Sequence, residues 1–304
     1  MAKKVLVCNP VAEEAIEMFE EAGLEVDQEF GMSKEELTGK VPPYHALIVR
    51  SSTKVREPTL DAAENLEAIG RPGIGLDNID VDYAEDMGVK VFNTPTATTV
   101  SVAELAMTHI LAAYRDIVAG TNSLRDGKWI KSDLKSNEIY EKTLGVVGYG
   151  NIGRAVAERA DAFGMDVIAF DVLDIEDPEP AEMVDMDTLL EKSDVITIHV
   201  PHIEPTHHMM SDEQFDKMKE SATLVDCSRG GVVDEEALYK ALKEDKIRFA
   251  SKDVFEEEPP GDNPLLGLDN FHATPHIGAQ TFEGQVRAGT LAAEQVIEEL
   301  EKRG

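Results

Sequence analysis

Only two cysteines, Cys8 and Cys227, occur in the 304 residues. That is too few for a disulfide framework, and no Cys/His spacing along the chain resembles a zinc site. His207 and His208 are neighbours rather than residues four apart, so they read as surface or packing, and no metal is expected. Basic residues are scarce too: 29 Lys and Arg stand against 60 Asp and Glu, a net charge of −31. A field of that sign repels phosphate backbones and anionic lipids, which argues against nucleic acid and membrane partners. Acidity this heavy fits a high-salt cytoplasm, where screening removes self-repulsion. On that reading stability grows with added KCl, and indifference to salt rules it out. Long apolar runs are missing as well. No stretch approaches the ~18 residues that a bilayer span requires. The opening MAKKVLVCNP has an apolar run too short for a signal peptide, so the expected location is cytoplasmic.

What remains is a globular composition, 42% hydrophobic and 29% charged, long enough for one large or two medium domains. Short apolar runs alternate with amphipathic helical patterns. Residues 3–8 read as a strand, and VAEEAIEMFEEAG as a helix with Val11, Ala15, Met18, Phe19 and Ala22 on one stripe. HALIVRSS and VKVFN are further strands. The spacing Ser101 to Glu104, flanked by Val100 and Leu105, predicts a capping box and staple opening a helix that runs to Gly120. TPTATT before it has the small polar composition of a hinge. Beyond, KTLGVVGYGNIG, DVIAFD, DVITIHVP, ATLVDCSRG and RFASKDVF repeat the strand-then-helix rhythm, and Ser211 to Gln214 forms a second capping box. This pattern predicts an α/β protein with parallel sheets. After residue 280 a single helix remains, which has to dock on something.

Glycines 148, 150 and 153 in LGVVGYGNIG follow an apolar strand and open a helix. In that context Gly148 allows the tight turn, Gly150 admits a pyrophosphate against the backbone, and Gly153 lets helix and strand pack. The helix N-terminus then offers free N–H groups and a partial positive charge. Asp171 ends the next strand, placed to accept both ribose hydroxyls of NAD and to repel the 2′-phosphate of NADP. VLDIEDPE after it carries no Arg or Lys, so the cofactor expected is NAD.

A nicotinamide needs a substrate anchor and a proton donor. Arg229, in DCSRGG, stands at the C-terminal edge of a strand, and its fork suits a carboxylate. EEEPP offers three carboxylates, among them Glu258 before Pro259. His276 lies in ATPHIGAQ. Taken one at a time each has a structural reading: an Arg tied to a nearby acid, one of three equivalent acids, an interior histidine.

The ordered set GYGNIG with Asp171, CSRGGVVDEEAL, DVFEEEPP and TPHIGAQT resembles the D-isomer-specific 2-hydroxyacid dehydrogenases. VRSSTKV, GRPGIGLDNID and NTP…SVAEL extend the likeness to the phosphoglycerate dehydrogenase branch. The resemblance implies two doubly wound parallel-sheet domains, a Rossmann-type NAD-binding domain at 99–280 and a flavodoxin-like substrate-binding domain at 1–98 with 281–304, with a cleft between them. It makes Arg229 the substrate clamp, His276 the proton carrier and Glu258 the acid that orients and charges the imidazole. It assigns cofactor contacts to Asn151, Ile152, Pro201, Thr206, Cys227, Ser228 and Asp253, besides Gly148, Gly150, Gly153 and Asp171. Backbone N–H groups of Gly73, Ile74 and Gly75 would meet the substrate carboxylate. Arg50 and Arg71, with Ser51, would lie near a substrate phosphate. The implied substrates are a 2-hydroxy acid and its 2-keto acid, foremost 3-phosphoglycerate and 3-phosphohydroxypyruvate in serine biosynthesis, with glyoxylate or hydroxypyruvate as alternatives. An NAD-sensing corepressor-like protein is the alternative of another class. A homodimer is implied, with the helix after Ser101 and the Trp129 segment at its interface, and from the length no feedback through C-terminal regulatory domains is expected. Pro72, Ala97-Thr98, Phe249 and Lys252 depart from the usual residues, and alternation puts Lys252 on the face opposite Asp253.

Overall fold

The computed structural model describes residues 2–304. They fall into two compact units, residues up to Thr99 with Ala279–Gly304, and Val100–Gly278. The first unit runs β1 (Lys4–Val7), α1 (Glu13–Glu21), β2 (Glu25–Gln28), α2 (Lys34–Lys40), β3 (Ala46–Ile48), α3 (Glu57–Asp61), β4 (Ala68–Arg71), α4 (Val81–Asp86) and β5 (Lys90–Asn93). Its strands are all parallel, in the order β2-β1-β3-β4-β5, which is the flavodoxin-like winding.

The second unit begins with α5 (Thr99–Tyr114) and α6 (Ile117–Arg125). It continues through β6 (Thr143–Val147), α7 (Asn151–Ala162), β7 (Asp166–Phe170), β8 (Glu182–Met183), α8 (Met186–Lys192) and β9 (Val195–Ile198). Then come α9 (Asp212–Lys217), β10 (Thr223–Asp226), α10 (Glu235–Lys243), β11 (Phe249–Lys252) and β12 (Phe271–Ala273). The seven parallel strands are ordered β12-β11-β10-β9-β6-β7-β8, a Rossmann winding that reverses between β6 and β9. The expected fold class is therefore the one observed.

The last helix, α11 (Phe282–Lys302), returns to the first unit. Period-two alternation sends Val5 and Val7 to one face of the sheet, where they meet Phe19 of α1 and Ala293, Val296 and Leu300 of α11. Leu6 and Cys8 face the other way, against Leu37 and Leu60. Each large side chain so buried stabilises by roughly 1.5–3 kcal/mol, which is why the terminal helix docks. Lys3 Nζ fixes its end, donating to Leu300 O at 2.6 Å and to Glu67 at 2.8 Å.

Two expectations are corrected around residue 100. The helix starts at Thr99, so Ser101 is buried within it rather than capping it, and Val100 is exposed. A Ser and an acid three apart also occur inside a helix whose apolar stripe (Val102, Ala103, Ala106, Ile110) faces a core. Nor does the helix reach Gly120 in one piece. Asp116 takes φ +50° and breaks it, a conformation that Asp tolerates better than most residues, with Ser136 Oγ donating to its carboxylate at 2.9 Å. At the second capping box Ser211 N and Oγ both donate to Gln214 Oε1, while Gln214 N donates to the Ser211 carbonyl.

Candidate active site

The glycine turn follows β6 at the point where strand order reverses. Gly148 has φ +89°, and a Cβ on Gly153 would collide with the Gly148 carbonyl, so α7 packs on the turn only because Gly153 has no side chain. Around Gly150 there is open space where a Cβ would be. Asn151 is exposed, while the Ile152 side chain packs against the core beneath α7. Asp171, just past β7, is tied to this turn: Oδ2 accepts from Tyr149 N at 2.7 Å, and Oδ1 accepts from Leu173 N at 2.9 Å. Arg154, the nearest base on α7, lies over the Tyr149 ring and donates to Asp177 O. After β9, Thr206 Oγ1 donates to Pro201 O at 2.6 Å and closes a short loop beside the same switch point. An open glycine, a helix N-terminus and an oriented carboxylate on adjoining strand ends fit a dinucleotide.

The second set of loops follows β10, β11 and β12. His276 takes φ +52°, and its N–H donates to Asp253 O at 2.8 Å. Its ring Nδ1 lies 2.8 Å from Glu258 Oε2 and 3.0 Å from Oε1, which leaves Nε2 for a ligand. The Glu258–Pro259 peptide is cis. The bond from Glu258 raises the His276 pKa above its ordinary value against the pull of burial, with the charges of Glu258 and Asp253 adding to it and that of Arg229 opposing. Burial would lift the Glu258 carboxyl, but the bond from His276, its charge, the Phe255 N–H and the Arg229 guanidinium together hold it below the usual range. Arg229 thus acts by charge on both partners, and its Nη1 donates to Ser228 O at 2.8 Å. Three residues far apart in the chain share one end of one sheet.

Asp253, expected near the cofactor, also has a role inside its own unit. It is buried, and its carboxylate accepts from Thr274 Oγ1 (2.6 Å), Ile277 N (2.8 Å) and Gly278 N (2.7 Å), so it shapes the turn that carries His276. Burial raises its pKa, only partly offset by these bonds and the His276 charge. His109 of α5 lies beneath, 3.0 Å from both Thr274 Oγ1 and Ser251 Oγ. Burial and then the nearby His272 lower its pKa to about 4. Since the Thr274 hydroxyl donates to Asp253, neutral His109 donates from Nε2 and accepts at Nδ1. The side chains of Cys227 and Ser228 are likewise committed inside the unit. Cys227 packs in an apolar cluster with Leu144 and Val146, and burial, then the charges of Asp253 and Asp226, raise its thiol pKa well above normal. Ser228 N and Oγ donate to Asp226 Oδ1. Sequence reading missed His109, Thr274 and Asp226. Thr274 was visible inside the TPHIG motif, whereas His109 gave no signal on an apolar helix face.

In the first unit, Arg50 N donates to Asn9 Oδ1 at 2.6 Å, its Nη1 reaches Pro10 O at 3.4 Å, and burial lowers the guanidinium pKa. No carboxylate pairs with Arg50 among the described residues, and Ser51 beside it is exposed. Arg71 Nη1 reaches Pro72 O at 3.5 Å. One expectation is corrected here. Gly73 N already donates to Thr94 Oγ1 at 2.7 Å, so only Ile74 and Gly75 keep N–H groups without a protein acceptor among the described residues. His207 and His208 stack at 4.0 Å, and His208 Nε2 lies 3.1 Å from Glu256 Oε1. Among the described residues no group of three or more His, Cys, Asp or Glu could hold a metal ion, and no helix is long and apolar enough to cross a membrane.

Such a combination, a dinucleotide-binding turn and a histidine–carboxylate pair beside an arginine on one Rossmann sheet, belongs to dehydrogenases. Residues 107–278 match the D-isomer specific 2-hydroxyacid dehydrogenase, NAD binding domain. Over 297 residues the chain is 49% identical to D-3-phosphoglycerate dehydrogenase of Methanocaldococcus jannaschii, covering 96% of this chain and 56% of that one. It is 48% identical to hydroxypyruvate reductase of Thermotoga maritima, covering 98% of both. The crystal structure of the TT0316 protein from Thermus thermophilus superposes with a TM-score of 0.93 at 34% identity, over 98% of this chain and 97% of that one. The chain spans about half the length of the phosphoglycerate dehydrogenase relatives, 56% in the first two. It belongs to the D-isomer-specific 2-hydroxyacid dehydrogenase family, and its second unit is an NAD-binding domain.

Proposed function

We propose that the chain is an NAD-dependent oxidoreductase interconverting D-2-hydroxy acids and their 2-keto acids. The observation that carries this reading is the His276 Nδ1–Glu258 Oε2 contact at 2.8 Å, within the electrostatic reach of Arg229. When bound, the nicotinamide supplies or takes the hydride at carbon 2. Arg229 pairs with the substrate carboxylate and fixes the keto group's orientation. His276 gives a proton from Nε2 to the keto oxygen during reduction and takes it back during oxidation. Glu258 holds the ring through Nδ1 and favours the imidazolium. Gly148, Gly150, Asn151 and Gly153 bind the cofactor's phosphates, Asp171 its ribose, and Ile152, Pro201, Thr206, Cys227, Ser228 and Asp253 shape the surroundings. The second unit is then the cofactor domain, and the first, with α11, the substrate domain.

For the substrate we favour 3-phosphoglycerate and 3-phosphohydroxypyruvate, in serine biosynthesis. The support is that, among the described residues, no carboxylate pairs with Arg50 in a chain of charge −31, which leaves it free to meet a phosphate, with Ser51 next to it and Arg71 in the same unit. Ile74 and Gly75 supply N–H groups for an anion. Unphosphorylated hydroxypyruvate is the second reading, favoured by full-length similarity to the Thermotoga reductase. Comparing 3-phosphohydroxypyruvate with hydroxypyruvate by NADH absorbance, in wild type and Arg50→Ala, tests both. A phosphate preference that Arg50→Ala abolishes supports the first; a preference surviving intact removes Arg50, and equal turnover of the two compounds selects the second. No turnover of any 2-keto acid sinks the oxidoreductase reading.

A second copy of the chain is the partner we favour, working in the cytoplasm. Helix α5 is largely buried in its own unit, but α6 and the next segment expose Ile117 (59%), Leu124 (60%) and Trp129 (80%). Light scattering that shows a monomer removes that assembly.

A further inference from the structure

Lys252 is a fully buried lysine at the C-terminal end of β11. Its ammonium lies 3.3 Å from Asp226 Oδ2 and 3.3 Å from Glu235 Oε1. Asp226 is also fully buried and faces Lys252 in register across β10 and β11, while Glu235 opens α10. Neither contact is aligned as a hydrogen bond, since Lys252 Nζ and Asp226 Oδ2 have no such partner among the described residues. The cation is held by charge alone. Taking it out of water is costly, and a neutral side chain would fill the same space. Its use is in what the two acids hold.

Each acid anchors a different catalytic loop. Asp226 Oδ1 accepts from Ser228 N (3.0 Å) and Oγ (2.6 Å), and Ser228 O accepts from Arg229 Nη1 at 2.8 Å. Glu235 Oε1 accepts from Glu256 N at 3.0 Å, and Glu256 Oε1 accepts in return from Glu235 N at 3.1 Å. Glu258 follows two residues later, and Glu235 Oε2 binds Asn263 Nδ2 at 2.6 Å on the far side of that loop. The loops also touch: a Cβ on Gly230 would strike the Phe255 carbonyl. The ammonium therefore sits where the anchors of the Arg229 loop and of the Glu258 loop meet.

We propose that Lys252 is a positioning residue for the reaction, its buried ammonium locking Asp226 to Glu235 and so holding Arg229 and Glu258 at a fixed separation. This rests on the catalytic reading of Arg229, Glu258 and His276. Lys252 is fully buried and acts through the two loops.

The test is steady-state reduction of a 2-keto acid across pH, with NADH affinity by fluorescence and thermal unfolding in parallel. In Lys252→Met, kcat/KM falls about tenfold, mostly as a higher KM for the keto acid as Arg229 loses its register. The basic limb of the profile moves to lower pH, because Glu258 grips the imidazole less firmly. Glu258, Asp253 and Arg229 are the charges facing His276, and a looser Glu258 removes the main one that raises its pKa. NADH affinity changes less than the KM for the keto acid, since the glycine turn lies at other strand ends. Lys252→Met leaves Asp226 buried and uncompensated. The double variant Lys252→Met/Asp226→Asn removes that charge and keeps the fold, and its amide oxygen still accepts from Ser228. Glu235 lacks its cation in both, so the limb shift persists. A folded double variant with a wild-type limb and wild-type KM overturns the proposal, because a merely structural lysine affects only melting. His276→Asn is the control: if it turns over normally, the triad reading fails and Lys252 with it. If it is inactive while the double variant matches wild type, Lys252 alone is refuted.

Discussion

The ends of β6 and β7 and the ends of β10, β11 and β12 belong to one sheet and use side chains in opposite ways. At the first, the site is made by what is missing: Gly153 has no Cβ against the Gly148 carbonyl, and Gly150 opens onto free space. At the second it is made by charge drawn inward, with Lys252 between Asp226 and Glu235, Asp253 under the His276 turn, and Glu258 on the imidazole. A dinucleotide needs a backbone it can approach, whereas proton transfer needs an imidazole whose orientation and charge are set by neighbours. Substitutions at the two ends should therefore fail differently, one in cofactor affinity and the other in turnover and pH dependence.

The largest effect is expected at His276. Asn there lowers kcat by about 10²–10⁴-fold with NADH affinity intact, and stopped-flow or steady-state absorbance reads it. A variant that loses affinity instead would erase the contrast between the two ends. Gly153→Ala comes next. It forces a methyl against the Gly148 carbonyl, costs about 1–3 kcal/mol and weakens NADH binding in a fluorescence titration, with a lower melting temperature. Glu258→Gln follows. Reduction needs the imidazolium, so its rate is full below the His276 pKa and lost as pH rises through it, and that pKa lies above its ordinary 6.5. Removing the carboxylate moves the limb to lower pH, while oxidation, which needs the neutral ring, gains at the same pH. An unmoved limb would mean that Glu258 does not set the charge. The smallest effect is expected from Asp171→Asn, which weakens NADH binding by about 1 kcal/mol and narrows the preference over NADPH without touching the pH profile.

The same contrast explains what the sequence disclosed. The glycine turn was legible because its requirements are local, a strand, three glycines and an acid ending the next strand. Strand-helix alternation likewise revealed both parallel sheets. The reading failed where a long-range partner decides the outcome. β2, whose EVDQ is polar and mostly exposed at a sheet edge, carries no hydrophobic period. Asp116 breaks a helix that apolar periodicity carries straight through. The Ser101–Glu104 spacing imitated a cap inside a buried helix. Residue types alone left Glu256, Glu257 and Glu258 equivalent; the resemblance singled out Glu258, and the contact with His276 Nδ1 distinguishes it physically. Alternation set Lys252 opposite Asp253, but not that its charge would be enclosed, because Asp226 and Glu235 come from distant stretches.

The left-handed backbone at His276 bears on how its chemistry is to be interrogated. With φ at +52°, a replacement must first be comfortable in that twist, and asparagine is among the few side chains that visit it readily. Exchanging histidine for asparagine therefore asks about the ring alone. Valine or isoleucine would also unwind the peptide hinge on which the ring is mounted, and an inactive protein would not say which of the two had been lost.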